Sequence, residues 1–334
     1  MNARSILHVG INQVEVRDVD VRDPGPGEVL IETLYSGISP GTELRCLRGK
    51  RPGSLETFPF VPGYANIGRI TRRGAGVNGF GDGQTVFVSG TRHAGGIKTM
   101  WGGHISHVLT PVERVIPVPP GVDPLDATIG RLAAIAFRGV GMSRPQVGER
   151  VAVVGLGVIG QLSARLHALS GARVVGADRS AGRVEHLRGA GVTAVVAEPG
   201  RRLKESFAAA MPEGADVVVD ATGNPDVLRD ALELARDVPW TNDPPPGARV
   251  VLQGSYEADF TLPYQTVFDK TVTMLVPRDS TAPDLRTVLE LIDAGKLKVR
   301  DLISAVRPPE AAAETYAELR DPATTLLTAV FKWR

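Results

Sequence analysis

The chain has 334 residues, a formal net charge of +1, 43% hydrophobic residues and 22% charged ones. This length favours two domains over one, and the near-zero charge leaves no broad basic field for nucleic acid or an anionic membrane surface. A single cysteine, Cys46, excludes an internal disulfide and any metal site built on several thiolates.

The N-terminus, "MNARSILHVGINQVEV", lacks the charged head, apolar stretch and small-residue cleavage site of a signal peptide. No apolar run approaches the roughly 20 residues of a membrane span. A cytoplasmic protein acting on a small molecule is expected. Over the first 120 residues, "VEVRDVDV", "GEVLIETLYSGI", "NIGRITRRG", "QTVFVSG" and "GGHISHVLTP" read as short strands separated by Gly, Pro and Asn turns. That pattern suits a partly open barrel or sandwich. Within it "FPFVPGYANIGRI" is an apolar approach, a turn holding Tyr64, Ala65 and Asn66, and a strand-like tail. Cys46 reads as a small buried or half-buried side chain.

From Asp123 the texture changes. "DPLDATIGRLAAIAFRGVGMS" has helical apolar spacing behind an acidic start, and strands then alternate with helices as far as Met274–Pro277. Such alternation implies a parallel sheet with helices on both faces. "DVPWTNDPPPG" reads as a Pro-stiffened loop. "PDLRTVLELIDAGKL" and "PEAAAETYAELR" are amphipathic helices, and "LLTAVFKW" is a closing strand. The expected domains are 1–122 with 278–334, and 123–277.

The strongest motif is "VAVVGLGVIGQLSARLHALSGARVVGADRS". Gly155, Gly157 and Gly160 form G-x-G-x-x-G between an apolar strand and a helix. The first allows the tight turn, the second the approach of a pyrophosphate and the third close helix–strand packing. The pyrophosphate is expected on the amides of Leu156, Val158 and Ile159 at the helix start. Asp178 follows Gly155 by 23 residues, where a carboxylate accepts from ribose hydroxyls and repels a 2′-phosphate. NAD(H) is therefore expected. Arg179, which can meet a 2′-phosphate or stack on adenine, keeps NADP(H) as the less favoured choice, and Arg183 is counted with it as a cofactor contact. Ala221, Thr222 and Gly223 in "DATG" should line the cofactor, and Gln253, Gly254 and Ser255 should meet the nicotinamide.

This order of parts resembles the medium-chain dehydrogenase/reductase superfamily over nearly the whole chain. "ADRSAGRVEHLRGAGVTAVV" and "ADVVVDATGNPDVLRDALEL" look like its cofactor domain. The resemblance implies an α/β protein, with a doubly wound parallel Rossmann sheet inserted into a β-rich, GroES-like, partly open barrel. Zinc-dependent members carry a catalytic cysteine in a "GICGTD"-like stretch. Here "SGISPGTEL" puts Ser39 or Pro40 at the cysteine and Glu43 at the aspartate. Their second ligand is the His of a Gly-His-Glu turn, which here is Gly63-Tyr64-Ala65. The third, a Cys or Glu opening a helix, corresponds to Arg131. A hydroxyl, a phenol and a guanidinium cannot replace thiolate, imidazole and carboxylate around Zn²⁺. The four-cysteine structural lobe is missing too, so the resemblance is to a zinc-lacking branch.

The nearest nameable group is bacteriochlorophyllide a dehydrogenase. It shares "SGIS-GTE", a "VPGY" turn, a strand like "WGGHISHVLTP" and an Ala-rich helix like "LAAIAFRGV". Its tyrosine is followed by an acid where Ala65 stands here, and the pigment substrate is not carried over. A homodimer through the last Rossmann strand, near "TVTMLV", is expected by the same resemblance, with "WTNDPPP" extending or blocking that surface.

Oxidation of a secondary alcohol requires removal of the hydroxyl proton and stabilisation of the alkoxide. Without zinc, Tyr64 can donate to or accept from the substrate oxygen, and Arg131 can bind an anion or lower the phenol pKa. Thr42 matches a proton-relay position of zinc-dependent relatives. Ser39 is a further candidate, and Glu43 reads as a cap or salt-bridge partner. His93 and Trp101 flank the loop "TRHAGGIKTMWGG", which can overhang a substrate. His93 and His104 are the histidine candidates for acid–base work. His104 and His107, three apart in an expected strand, point to opposite faces and make no metal pair. His8, His167 and His186 read as surface or packing residues. Arg278 and Asp279 read as a salt bridge or as contacts to a polar substrate. The expected function is a zinc-independent NAD-dependent dehydrogenase of a secondary hydroxyl or ketone on a sugar, cyclitol or secondary-metabolite intermediate. The alternatives are an enone or quinone reductase, and a non-redox lyase or cyclase.

Overall fold

A computed structural model describes every residue except Ala258. The chain divides into two compact units, Met1–Arg131 with Leu285–Arg334, and Leu132–Asp284. The junctions fall within the helices Gly130–Ser143 and Ala282–Asp293. The expected divisions, at the change of pattern near Asp123 and at its end near Pro277, lie ahead of these helices.

The first unit opens with strands β1 (Asn2–Gly10), β2 (Gln13–Asp20), β3 (Glu28–Gly37), β4 (Phe60–Val61), β5 (Ala65–Arg73), β6 (Thr85–Val88), β7 (Lys98–Thr99), β8 (His107–Pro111) and β9 (Val115–Pro117). The second unit carries β10 (Arg150–Val154), β11 (Arg173–Asp178), β12 (Thr193–Val196), β13 (Val217–Asp220), β14 (Arg249–Leu252) and β15 (Thr273–Leu275). The chain then returns to the first unit with β16 (Ile303–Arg307) and β17 (Thr328–Lys332).

In the first unit, one sheet has the order β2-β1-β4-β7, and the larger one β16-β17-β3-β5-β6-β9 with β8 also paired to β3. Val29, Leu30 and Ile31 of β3 are all buried, more than strict alternation allows. The register against β5 shifts between Leu30 and Ile31, where Thr71 of β5 is the extra, unpaired residue of a bulge. The β3–β5 ladder ends at Gly37 opposite Ala65. Ala65 and Asn66, expected in the turn, already belong to β5. Past that ladder, Ile6, Ile38, Leu47, Tyr316 and Phe331 form a second small core under the helix Pro40–Leu47. Full burial of each such side chain stabilises by about 1.5–3 kcal/mol.

In the second unit the six strands run in the order β12-β11-β10-β13-β14-β15, all parallel. Val151, Ala152 and Val153 are completely buried, as are Val217, Val218 and Val219, because helices cover both faces. The strand order reverses between β10 and β13, and ligands of such sheets bind outside the strand ends at that point. Gly155, Ala221 and Gln253 each directly follow one of these strands, and Asp178 is the last residue of β11, so the predicted cofactor residues share one edge of the sheet. Among the described residues, no helix is long and apolar enough to cross a membrane.

Candidate active site

The glycine turn of the second unit is built by close approach. Gly155 has φ of +87°, and a Cβ on Gly160 would lie 1.7 Å from the Gly155 carbonyl oxygen, so only glycine fits there. A Cβ on Gly157 would meet nothing within 4 Å. That opening admits a pyrophosphate, and no side chain caps the helix Val158–Leu169 that starts there.

Asp178 is buried and accepts from the Leu156 amide at 2.7 Å and the Ser180 amide at 2.9 Å. Each carboxylate oxygen keeps a further lone pair for a ribose hydroxyl. Arg183 lies 3.8 Å from the carboxylate, and Arg179 is exposed. These residues fit a dinucleotide. Two of the expected contact residues also bond within the protein. The Thr222 hydroxyl donates to Asp220 at 2.6 Å and accepts from the Asn224 amide. The Gln253 amide donates to the Ile135 carbonyl at 3.1 Å, and its Oε1 occupies the space a side chain at Gly139 would need. Gly223 and Gly254 instead let two backbone turns touch, a Cβ on Gly254 falling 2.2 Å from the Gly223 nitrogen. Asp220 is fully buried; burial raises its carboxyl above the usual range, although Thr222 and Tyr256 both donate to it.

In the first unit, a cluster of hydroxyls gathers where the resemblance places metal ligands. Ser39 is the N-cap of the helix Pro40–Leu47, yet its side chain makes no capping bond. Its Oγ lies 2.5 Å from Tyr64 Oη, and Thr42 Oγ1 lies 3.3 Å from the same phenol. Tyr64 is carried on a turn at Gly63, whose φ is +85°. A Cβ on Gly63 would fall 2.5 Å from the His104 ring, and one on Gly103 2.7 Å from the Gly63 carbonyl group. The Gly103 and His104 amides donate to Gly63 and Pro62, and Asn66 donates to Gly103.

Burial pushes the Tyr64 phenol up to about 12, with the Glu43 charge acting in the same direction. Hydrogen bonds with Ser39 and Thr42 oppose that rise, as does the Arg131 charge. The Tyr64 ring meets Trp101 edge-on at 5.0 Å, and the Arg51 guanidinium lies 4.4 Å above Trp101. Burial lowers Arg114, with repulsion from Arg92 and Arg131 adding to it. The structure thus brings together Ser39, Thr42, Tyr64 and Arg131. His93 stands apart: its ring is exposed and meets Arg22 at 3.0 Å.

Glu43 is completely buried and acts both as cap and as bridge. Its Oε1 accepts from the Ser39 amide at 2.7 Å; its Oε2 lies 2.9 Å from His104 Nε2 and accepts from the Tyr316 hydroxyl. Burial works to raise this carboxyl, but His104, the Ser39 amide and Tyr316 together hold it below the usual range. His104 Nδ1 faces Ser36 Oγ at 2.8 Å, and Trp333 Nε1 donates to that hydroxyl. The expected strand through both His104 and His107 begins only at His107, and His104 lies in irregular chain ahead of it. Ser36, Tyr316 and Trp333 were not anticipated. The sequence signal for this network was Glu43 itself, an acid in the first turn of the helix, read as a cap or salt-bridge partner. Cys46 is buried, and burial pushes its thiol up to about 11. His8 and His167 are both fully buried packing residues.

Residues 25–120 match the family model described as alcohol dehydrogenase GroES-like domain, and residues 158–294 the one described as zinc-binding dehydrogenase. The chain is 26% identical over 345 residues to 2-desacetyl-2-hydroxyethyl bacteriochlorophyllide A dehydrogenase of Cereibacter sphaeroides, covering 100% of this chain and 99% of that protein. It is 28% identical to L-galactonate-5-dehydrogenase of Escherichia coli over 88% of each. Among solved structures it is similar to 2R,3R-butanediol dehydrogenase from Bacillus subtilis, with TM-score 0.86, 19% identity and coverage of 99% and 100%. Acetophenone reductase from Geotrichum candidum in complex with NAD gives TM-score 0.81 at 18% identity, covering 99% and 97%. At such identities the structures establish the fold. The zinc that the second family description implies does not fit these residues: two hydroxyls and a protonated phenol beside a guanidinium are a poor Zn²⁺ donor set. Among the described residues, no group of three His, Cys, Asp or Glu side chains is placed to hold a metal ion.

Proposed function

Because the chain belongs to the medium-chain dehydrogenase/reductase superfamily and is an NAD(P)-dependent oxidoreductase of that type, we propose that it interconverts a secondary hydroxyl and a ketone on a polar small molecule, using NAD(H) and no zinc. The observation that carries this reading is the Tyr64–Ser39–Thr42 hydroxyl cluster beside Arg131.

The bound nicotinamide supplies or accepts the hydride. In ketone reduction, Tyr64 donates its phenolic hydrogen bond to the substrate oxygen and gives up that proton as alkoxide character develops. Even at about 12 a phenol is a stronger acid than an aliphatic alcohol, so the transfer runs in the required direction. Ser39 and Thr42 hold the phenolate oxygen by hydrogen bonds and offer routes for its reprotonation, and the Arg131 charge favours it. In alcohol oxidation the same steps run in reverse. Arg131 acts on Tyr64, and its charge with that of Arg92 also acts on Arg114; this concentration of positive charge supports an acid-bearing substrate, such as a sugar acid of the kind named for L-galactonate-5-dehydrogenase. Asp178 supports NAD(H) over NADP(H). A homodimer through the outer edge of β15 completes the proposal.

The test is NAD⁺ reduction by chelator-stripped protein with a panel of acid-bearing and neutral secondary alcohols. We expect turnover without added metal, faster with NAD⁺ than NADP⁺. Replacing Tyr64 by Phe should lower kcat by roughly 10²–10³-fold with NADH affinity nearly unchanged. Activity restored only by Zn²⁺ refutes the reading.

A further inference from the structure

We propose that Glu43 and His104 are positioning residues for the Ser39–Tyr64 hydroxyl pair: their buried bridge ties the segment bearing Ser39 to the turn bearing Tyr64. The inference rests on the reading of Tyr64 as the acid–base group.

The β3–β5 ladder ends at Gly37 opposite Ala65, so it does not by itself fix Ser39 against Tyr64. Side chains make that connection. On one arm, the Ser39 amide donates to Glu43 Oε1 at 2.7 Å. This grip on the backbone replaces the usual capping arrangement, in which a serine hydroxyl turns inward to the first helical amides. Pro40 at the first helical position has no N–H to satisfy. The Ser39 hydroxyl is thereby free to face the phenol.

On the other arm, His104 seats the turn. Its amide donates to Pro62 at 3.0 Å, and its ring fills the space that a side chain at Gly63 would take. The 2.9 Å contact between His104 Nε2 and Glu43 Oε2 joins the arms. An ionised Glu43 only accepts, so Nε2 carries a hydrogen toward it. Tyr316 supplies a second donor to the same oxygen, and Ser36 braces the far side of the ring. Every polar atom of the bridge named here has a partner, and a connected buried network of this kind holds one geometry. A shift of 1 Å at a reacting group costs about 10²-fold in rate, so a bridge that sets this distance acts on turnover.

The experiment compares wild type with Glu43→Gln, Ser39→Ala and the double variant, each as full-length protein with NAD⁺. Glu43→Gln should lower kcat by roughly 10- to 100-fold with KM and NADH affinity within about twofold. In the Ser39→Ala background it should add less than about twofold, because Glu43 acts through Ser39. An undiminished loss in that background, or no loss in wild type, overturns the proposal. Should Glu43→Gln fail to fold, Tyr316→Phe carries the same cycle with a few-fold loss that vanishes alongside Ser39→Ala. A crystal structure of whichever charge-altered or donor-lacking variant folds supplies a readout without substrate. The Ser39–Tyr64 separation should open beyond about 3.5 Å, and an unchanged hydrogen bond overturns the proposal. If wild type oxidises no alcohol of the panel, the functional reading fails while this structural readout still decides the bridge.

Discussion

His8 lies with its ring edge-on to Phe60 and Tyr316, and neither of its nitrogens has a hydrogen-bond partner among the described residues. Burial lowers it from 6.5 to about 3; the nearby Glu43 charge opposes that shift and His104 adds to it. The folded protein therefore keeps His8 neutral while the unfolded chain takes up a proton. Stability should be fully present above pH 6.5 and fall as the pH drops toward about 3. His167, lowered by burial to about 4, adds a loss of the same sign. Glu43, held below 4.5, adds another only at the acid end, since its contribution is present above that value and lost as its own lower pKa is passed. Replacing His8 with Phe should flatten the thermal-midpoint curve between neutral and mildly acid pH. It should leave the neutral-pH midpoint equal or higher, because two unpaired buried polar atoms are removed. A curve as steep as wild type would show that His8 is hydrated or paired in solution.

The glycine turn after β10 makes a prediction at the level of the element. Gly160 is sterically forced, whereas Gly157 borders open space. Gly160→Ala should destabilise the protein by about 1–3 kcal/mol, read as a fall of several degrees in Tm without ligand. Gly157→Ala should leave that Tm within about a degree and weaken NADH binding at least tenfold, measured by fluorescence titration. This turn and Asp178 were legible in the sequence because their geometry is set within one strand, one turn and one helix. Thr222 and Gln253 were less so. The Thr222 hydroxyl was expected on the cofactor and Gln253 at the nicotinamide; the first donates to Asp220 and the second to the Ile135 carbonyl. Residue type and position do not reveal such competition between partners.

At the scale of the molecule, β15 ends the parallel sheet with its outer edge unpaired by any described residue. Val276 beside it is 62% exposed, and Trp240, Tyr264 and Phe268 form an exposed aromatic group in the same unit. An open edge next to apolar side chains favours pairing with a second copy. Sedimentation should give twice the chain mass of 35.4 kDa, and Val276→Asp should return it to one chain. A monomer in wild type would remove the dimer from the proposal.

Order along the chain was enough to determine the strand-rich first unit, the alternating second one and the cofactor turn. Each depends on periodicity or turn chemistry within a few tens of residues. Tertiary structure alone decided what surrounds Tyr64. Glu43 lies 61 positions from His104 and 273 from Tyr316. They meet because β17 pairs with β3, setting Val330 opposite Gly37, and because the helix Ala312–Arg320 shares a core with the helix Pro40–Leu47. Local backbone preferences act between near neighbours, whereas strand register and helix packing are settled by burying apolar surface across the whole unit.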